Sequence, residues 1–315
     1  MWIFYTLIIL VLAAFAGAMT LFKYAVVRVA NHTPEDQIDE FERERGMDVT
    51  LLHRGVSWYR AQPRETISIT SFDGLRLAAD YIPAEGTSRG RVLLFHGYHG
   101  GIEDYSAALP YYHSLGFDLL MVDERAHGRS EGKYIGYGVL EKRDCCAWAQ
   151  EADRRWGEAP TFLAGVSMGA ATVLMAAEEP LPADVRGIIA DCGFTSPKEE
   201  ICYVMRQDLH LPAYPMYWLV NGLCRLLAGY GFDDCSTERT LAKSNIPVLL
   251  IHGEADTYVL PEMSRKSYAA CRGEKHLLMI PGAGHCQGYL TDAQGYEREL
   301  KQFLLTHAVN VTAEI

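Results

Sequence analysis

The chain has 315 residues, 49% apolar, 22% charged and 11% aromatic, with a formal net charge of −11. That composition is ordinary for a globular protein with one large core or two small ones. The acidic balance argues against a nucleic-acid partner, whose footprint is basic, and no repeat period or low-complexity tract is visible. Eight cysteines are scattered without a C-x-x-C pair, so neither a zinc site nor a redox dithiol is indicated and free thiols are expected.

Met1 to Phe22 carries no charged side chain. As a helix it extends about 33 Å, enough to cross a bilayer core of about 30 Å. Lys23 and Arg28 follow it, so the positive-inside bias puts the rest of the chain in the cytoplasm, anchored to the membrane. No basic region precedes the apolar run, as a signal peptide normally requires. Ala16-Gly17-Ala18 resembles a cleavage site, which keeps export open. In that case Asn31-His32-Thr33 and Asn310-Val311-Thr312 would be glycosylation sequons. The expected organisation is a transmembrane anchor over 1–30, a charged linker helix over 31–65 that starts near Thr33-Pro34-Glu35-Asp36, and one globular domain over 66–315.

Thr66 to Phe72 and Leu75 to Ile82 read as strands joined by the turn Asp73-Gly74. From Arg91 short apolar runs alternate with helix-length segments. The runs are 91–95, 117–122, 161–164, 185–190, 247–251 and 276–280. Such runs suit parallel strands buried on both faces, and the alternation implies an α/β, doubly wound sheet preceded by a hairpin. Ligands in such sheets gather at the carboxyl ends of the strands. Residues 191–246 are too long for a simple crossover, so a lid over about 195–245 is expected, with an extra packed helix pair as the alternative.

Gly165-Val166-Ser167-Met168-Gly169 follows the run TFLA and precedes a helix-forming stretch. Strand, sharp turn and helix is the context of a nucleophile elbow, which makes Ser167 the candidate nucleophile. A serine hydroxyl needs a base, and His285 lies in a glycine-rich loop after the last strand. Asp256, after the strand PVLLI, is the candidate carboxylate to orient that base, with Glu254 as its neighbour and competitor. An oxyanion site needs two N–H donors. The backbone N–H groups of Met168 and of Tyr98, in the loop after RVLLF, are the candidates. His96 and His99 lack carboxylate or cysteine partners at a ligand spacing, so a loop-shaping role is expected, and no metal or cofactor is called for.

These residues carry a resemblance. HGYHGG at 96–101, DERAHGRSEG at 123–132, GVSMG at 165–169, HGEADTYV at 252–259 and PGAGH at 281–285 resemble the α/β-hydrolase superfamily from about Thr66 to His307. Specifically, they resemble its single-domain serine hydrolases with short lids. Asp123 to Gly132 looks like the family's D-x-R-G-H-G-x-S loop, with Ala126 where the family has glycine, and implies a role in shaping the site. Asp191 to Ser196 looks like the segment that opens the lid in bacterial members with an N-terminal membrane segment. The resemblance implies the α/β-hydrolase fold and an acyl-enzyme mechanism on a small-molecule ester or acyl substrate. The HGGPG loop of proline iminopeptidases is missing, and serine at 167 departs from the aspartate nucleophile of haloalkane dehalogenases and epoxide hydrolases. A carboxylic ester is the expected substrate. A peptidase or acyltransferase with the same residues, a non-catalytic binding protein and a structural membrane adaptor remain alternatives, because one fold hosts many chemistries.

Overall fold

The computed structural model describes residues 1–28, 33–207, 209–210 and 212–308. The sequons at Asn31 and Asn310 lie outside them. The chain opens with three helices, α1 (Trp2–Val26), α2 (Pro34–Arg45) and α3 (Thr50–Ala61). The segment expected to hold one linker helix thus holds two, α2 starting at Pro34. Gly46, at φ 62°, follows α2, a left-handed position that ends a helix at little cost only in glycine.

The body alternates strands and helices: β1 (Glu65–Thr70), β2 (Arg76–Ile82), β3 (Arg91–Phe95), α4 (Leu109–Ser114), β4 (Asp118–Asp123), α5 (Glu141–Trp156), β5 (Thr161–Val166), α6 (Met168–Ala176) and β6 (Val185–Asp191). It continues with α7 (Pro197–Gln207), α8 (Met216–Leu227), α9 (Thr237–Leu241), β7 (Val248–Gly253), α10 (Pro261–Ala270), β8 (Lys275–Ile280), α11 (Gly288–Thr291) and α12 (Ala293–His307). The strands form one eight-stranded sheet in the order β1-β2-β4-β3-β5-β6-β7-β8. β2 is antiparallel to both neighbours, and β3 to β8 are parallel.

The period of two along each strand sends alternate side chains to opposite faces. Leu93 and Phe95 of β3 pack with Trp148 of α5, Val173 of α6 and Leu241 of α9. Val92 and Leu94 pack with Tyr112 of α4 and Phe303 of α12. Both faces are therefore covered, which is why these strands read as continuous apolar runs. The edge strand β8 is only half-buried for most of its length.

A third cluster lies beyond the carboxyl ends of the strands. Helices α7 and α8, within the segment where a lid is expected, contribute Ile201, Met205, Tyr217 and Val220, and Met168 lies beneath them. Ala18, Phe22 and Val26 of α1 belong to the same cluster. Their spacing of four residues makes one narrow stripe on a helix otherwise exposed from Trp2 to Ala13. Among the described residues α1 is the one helix long and apolar enough to cross a membrane.

Candidate active site

Ser167 sits between β5 and α6 at φ 54° and ψ −113°, a conformation that costs a non-glycine residue on the order of 1–3 kcal/mol. The surroundings hold it there. Its N–H donates to the Asp191 carbonyl at 2.8 Å, and its carbonyl accepts from Ala171 at 3.1 Å to start α6. Gly165 and Gly169 make the turn possible by close approach. A Cβ on Gly165 would lie 2.2 Å from the Gly169 carbonyl oxygen, and one on Gly169 would lie 2.0 Å from that of Phe95.

Two loops at the carboxyl ends of β7 and β8 bring the other candidates to this serine. They lie directly against each other at Gly253, where a Cβ would come within 2.2 Å of the Ala283 carbonyl oxygen. The N–H groups of Glu254 and Ala255 donate to Ile280 and Ala283 at 2.9 Å each. His285 Nε2 then lies 2.9 Å from Ser167 Oγ, and its Nδ1 lies 2.7 Å from Asp256 Oδ2. A carboxylate can only accept, so Nδ1 carries the proton and Nε2 accepts from the hydroxyl. All three side chains are buried. Glu254 instead faces solvent near Arg265, 3.7 Å away.

Asp256 is held from every side. Its Oδ1 accepts the N–H groups of Tyr258 and Val259, each at 2.9 Å. Its Oδ2 also faces His252 Nε2 at 3.2 Å. That nitrogen carries a proton, because it donates to the Val259 carbonyl at 3.0 Å, while Nδ1 accepts from Ser264 at 2.6 Å. Burial works to raise the Asp256 pKa. The hydrogen bonds of His252 and His285 outweigh it and hold the carboxyl well below the usual range. Burial likewise works against the His285 imidazolium, but contacts with Cys192 and Asp256 displace its pKa upward. Burial pushes the Cys192 thiol well up, so near neutral pH it is uncharged and the charge beside His285 is that of Asp256.

The loop after β3 runs alongside. A Cβ on Gly97 would sit 3.3 Å from Ser167 Cβ. The Gly97 N–H donates to Asp104 at 2.5 Å. His96 donates from Nδ1 to the Gly97 carbonyl at 2.8 Å and accepts the Glu124 N–H at 3.0 Å. His127 accepts the His99 N–H at 3.1 Å. These hydrogen bonds set the course of the loop that presents Tyr98. The loop from Asp123 to Gly132 is pinned in turn by buried Arg125, paired with Asp144 at 2.5 Å and Asp73 at 3.0 Å. Ala126 holds φ 61°, a left-handed conformation that glycine adopts at lower cost.

Above Ser167 lies a cavity of about 130 Å³ where Tyr98, Ser167 and Met168 meet. Its walls are mostly apolar and come from Phe194, from Ile201 and Met205 of α7 and from Leu21, Tyr24 and Ala25 of α1. The end of α1 is tied to the loop after β3. The last carbonyls of a helix lack partners within it. Tyr98 Oη donates to those of Tyr24 and Ala25 at 3.0 and 3.1 Å, and Tyr137 Oη to that of Ala25 at 2.7 Å. Burial pushes the Tyr98 phenol up to about 12, so it stays a donor. The sequence reading missed His252, Asp104 and the contribution of α1 to this wall. The dipeptide His252-Gly253 before the acid was the available hint for the first; the others have no local signal.

Among the described residues two clusters bring three metal-capable side chains together, Cys192/His285/Cys286 and Glu274/His276/His307. The first fits a metal poorly. Burial keeps the Cys192 thiol protonated, and both His285 nitrogens face Ser167 or Asp256. The second lies at the amino end of β8, whereas Ser167 follows the carboxyl end of the parallel strand β5.

A mostly parallel eight-stranded sheet with a strand–turn–helix at its centre is the α/β-hydrolase fold. Residues 86–229 match the Hydrolase_4 family, described as serine aminopeptidase, S33. YqkD of Bacillus subtilis (strain 168), an uncharacterized protein, is 25% identical over 284 residues, 90% of each chain. YfhR of Escherichia coli (strain K12), also uncharacterized, is 26% identical over 77% of this chain and 81% of its own. Among solved structures, the Pyrococcus furiosus esterase Pf2001 aligns with a TM-score of 0.65 at 21% identity, over 89% of this chain and 96% of the esterase. Est1E from Butyrivibrio proteoclasticus with ferulic acid bound aligns with a TM-score of 0.59 at 20% identity, over 76% of this chain and 98% of its own.

Proposed function

We propose that the protein is a membrane-anchored serine hydrolase that cleaves carboxylic esters through an acyl-enzyme. The observation that carries the reading is the hydrogen-bonded series Ser167–His285–Asp256 at the carboxyl ends of three strands. Ser167 attacks the ester carbonyl while His285 Nε2 takes its proton. Asp256 stays ionised, fixes the tautomer and offsets the charge of the imidazolium. The Met168 N–H, at the amino end of α6, and the Tyr98 N–H hold the oxyanion. His285 then protonates the leaving alcohol, and water, deprotonated by the same imidazole, releases the acid.

The apolar cavity supports an acyl group as the part of the substrate that is buried. The esterases among the structural neighbours point the same way. α1 supports the membrane reading over a removable leader, because Ala18, Phe22 and Val26 are buried in the lid cluster. Cleavage after Ala18 would take away part of the packed helix. Lys23 and Arg28 favour a cytoplasmic domain. The description of the matched family, together with Glu200 in the cavity lining, favours one second reading, an aminopeptidase whose substrate amine meets an acid. The test is hydrolysis of p-nitrophenyl esters from acetate to palmitate, and of amino-acid p-nitroanilides, by the full chain and its Ser167→Ala variant. The ester reading expects ester turnover that is lost in the variant. Turnover confined to the anilides would replace it with the second.

A further inference from the structure

The part of α1 that stands clear of the domain is short. Residues 1–16 are exposed apart from Ala14 and extend about 24 Å, against about 30 Å for a bilayer core. Gly17, the next residue, already lies against the lid, with Met216 Cε of α8 3.5 Å from where its Cβ would be. Lys23, the first charged residue, lies six residues further on, about 9 Å along the helix. If the apolar run up to Lys23 fills the core, the start of α8 is carried below the level of that charge.

α8 is composed for such a place. Its sequence, MYWLVNGLCRLL, has two polar side chains, Asn221 and Arg225. Tyr217, Val220 and Leu223 face the lid cluster. The opposite face bears Trp218 at 65% exposure, Leu219 at 37% and Leu226 at 79%. Arg225, half-exposed beside Trp218 on this outer face, is paired with Asp233 and Asp234 at 2.7 and 2.6 Å, a charge that a long side chain can carry to the polar edge of a bilayer. Interfacial tryptophan with leucine is the pattern of a helix lying in a membrane surface. The cavity mouth falls at the same level. Tyr24, Leu209 and Tyr258 line the cavity and are also exposed, and Tyr24 adjoins Lys23.

We propose that the outer face of α8 is a second membrane-contact surface, seated in the bilayer beside α1, so that the cavity opens at the lipid interface and receives acyl esters from the bilayer. The substrate class rests on the esterase reading; the contact surface does not. The full chain is reconstituted in phosphatidylcholine vesicles with or without brominated acyl chains. Bromolipid quenching of tryptophan fluorescence should be smaller in Trp218→Phe than in wild type, and equal quenching would overturn the contact surface. Delivery is tested with Trp218→Ser/Leu226→Ser, checked for folding by circular dichroism. Water-soluble p-nitrophenyl acetate should be cleaved at the wild-type rate, and vesicle-borne p-nitrophenyl palmitate at least tenfold more slowly. Equal rates on both substrates would overturn delivery from the bilayer. A wild type inactive on both esters would overturn the esterase reading, while the quenching result still decides the surface.

Discussion

Replacing Asp256 by asparagine exchanges one acceptor atom for a donor at the point where the chemistry is most sensitive to it. Oδ1 accepts two backbone N–H groups at 2.9 Å, so the amide oxygen is bound to take that position. The NH2 group then stands where Oδ2 was, 2.7 Å from His285 Nδ1 and 3.2 Å from His252 Nε2. Both nitrogens carry protons in the wild type, and both contacts become donor against donor. His285 escapes by moving its proton to Nε2, which leaves Nδ1 free to accept from the amide. In that tautomer Nε2 cannot accept from Ser167, 2.9 Å away. The expected loss in kcat is on the order of 10⁴, the scale of this exchange in Ser-His-Asp enzymes generally, or about 5.4 kcal/mol in the barrier. The backbone hydrogen bonds to the side chain survive, so the stability loss should stay within about 1–3 kcal/mol. The assay is kcat on a p-nitrophenyl ester with a thermal melt of the same sample, full chain in detergent. A folded Asp256→Asn variant within tenfold of wild-type kcat would refute the tautomer argument.

The upward displacement of His285 sets the pH dependence. Only the neutral imidazole accepts the serine proton, so kcat/KM should rise with pH, with its midpoint above the value of about 6.5 for a free imidazole; a midpoint below that value contradicts the role given to Asp256. Phe22, buried to 2% exposure, should cost about 3–5 kcal/mol when cut to alanine, visible as a lower melting temperature in detergent; an unchanged melt would mean that α1 is no part of the folded body. Gly169→Ala should fail to fold or melt far earlier, since the new Cβ meets the Phe95 carbonyl oxygen at 2.0 Å. Gly222→Ala on α8, with open space at its Cβ, should instead stabilise by about 1 kcal/mol.

The strands were legible because burial on both faces demands unbroken apolar runs. RVLLF and PVLLI carry that signal without help from their neighbours. The grouping of three candidates was legible: Ser167 because both glycines of its turn are required by local contacts, and Asp256 and His285 because each follows a strand closely; their roles remain proposals. Glu254 could be set apart from Asp256 only in three dimensions, where backbone pairing of the two loops turns it toward Arg265. The role of α1 was hidden by its own composition. A stripe of Ala18, Phe22 and Val26 cannot be seen on a helix that is apolar all round, because there is no polar face to contrast with it. Tyr98 donating to a helix more than seventy residues earlier has no sequence signal at all.

The central claim is that Ser167 is the nucleophile, and covalent labelling tests it most directly. The full chain is treated with a fluorophosphonate, digested and mapped by mass spectrometry, beside Ser167→Ala. The account predicts a single adduct on Ser167, absent from the variant and formed at least a hundredfold more slowly in His285→Ala. Ester hydrolysis at the wild-type rate by a folded Ser167→Ala variant, or an adduct on another residue that accounts for the activity, would contradict it.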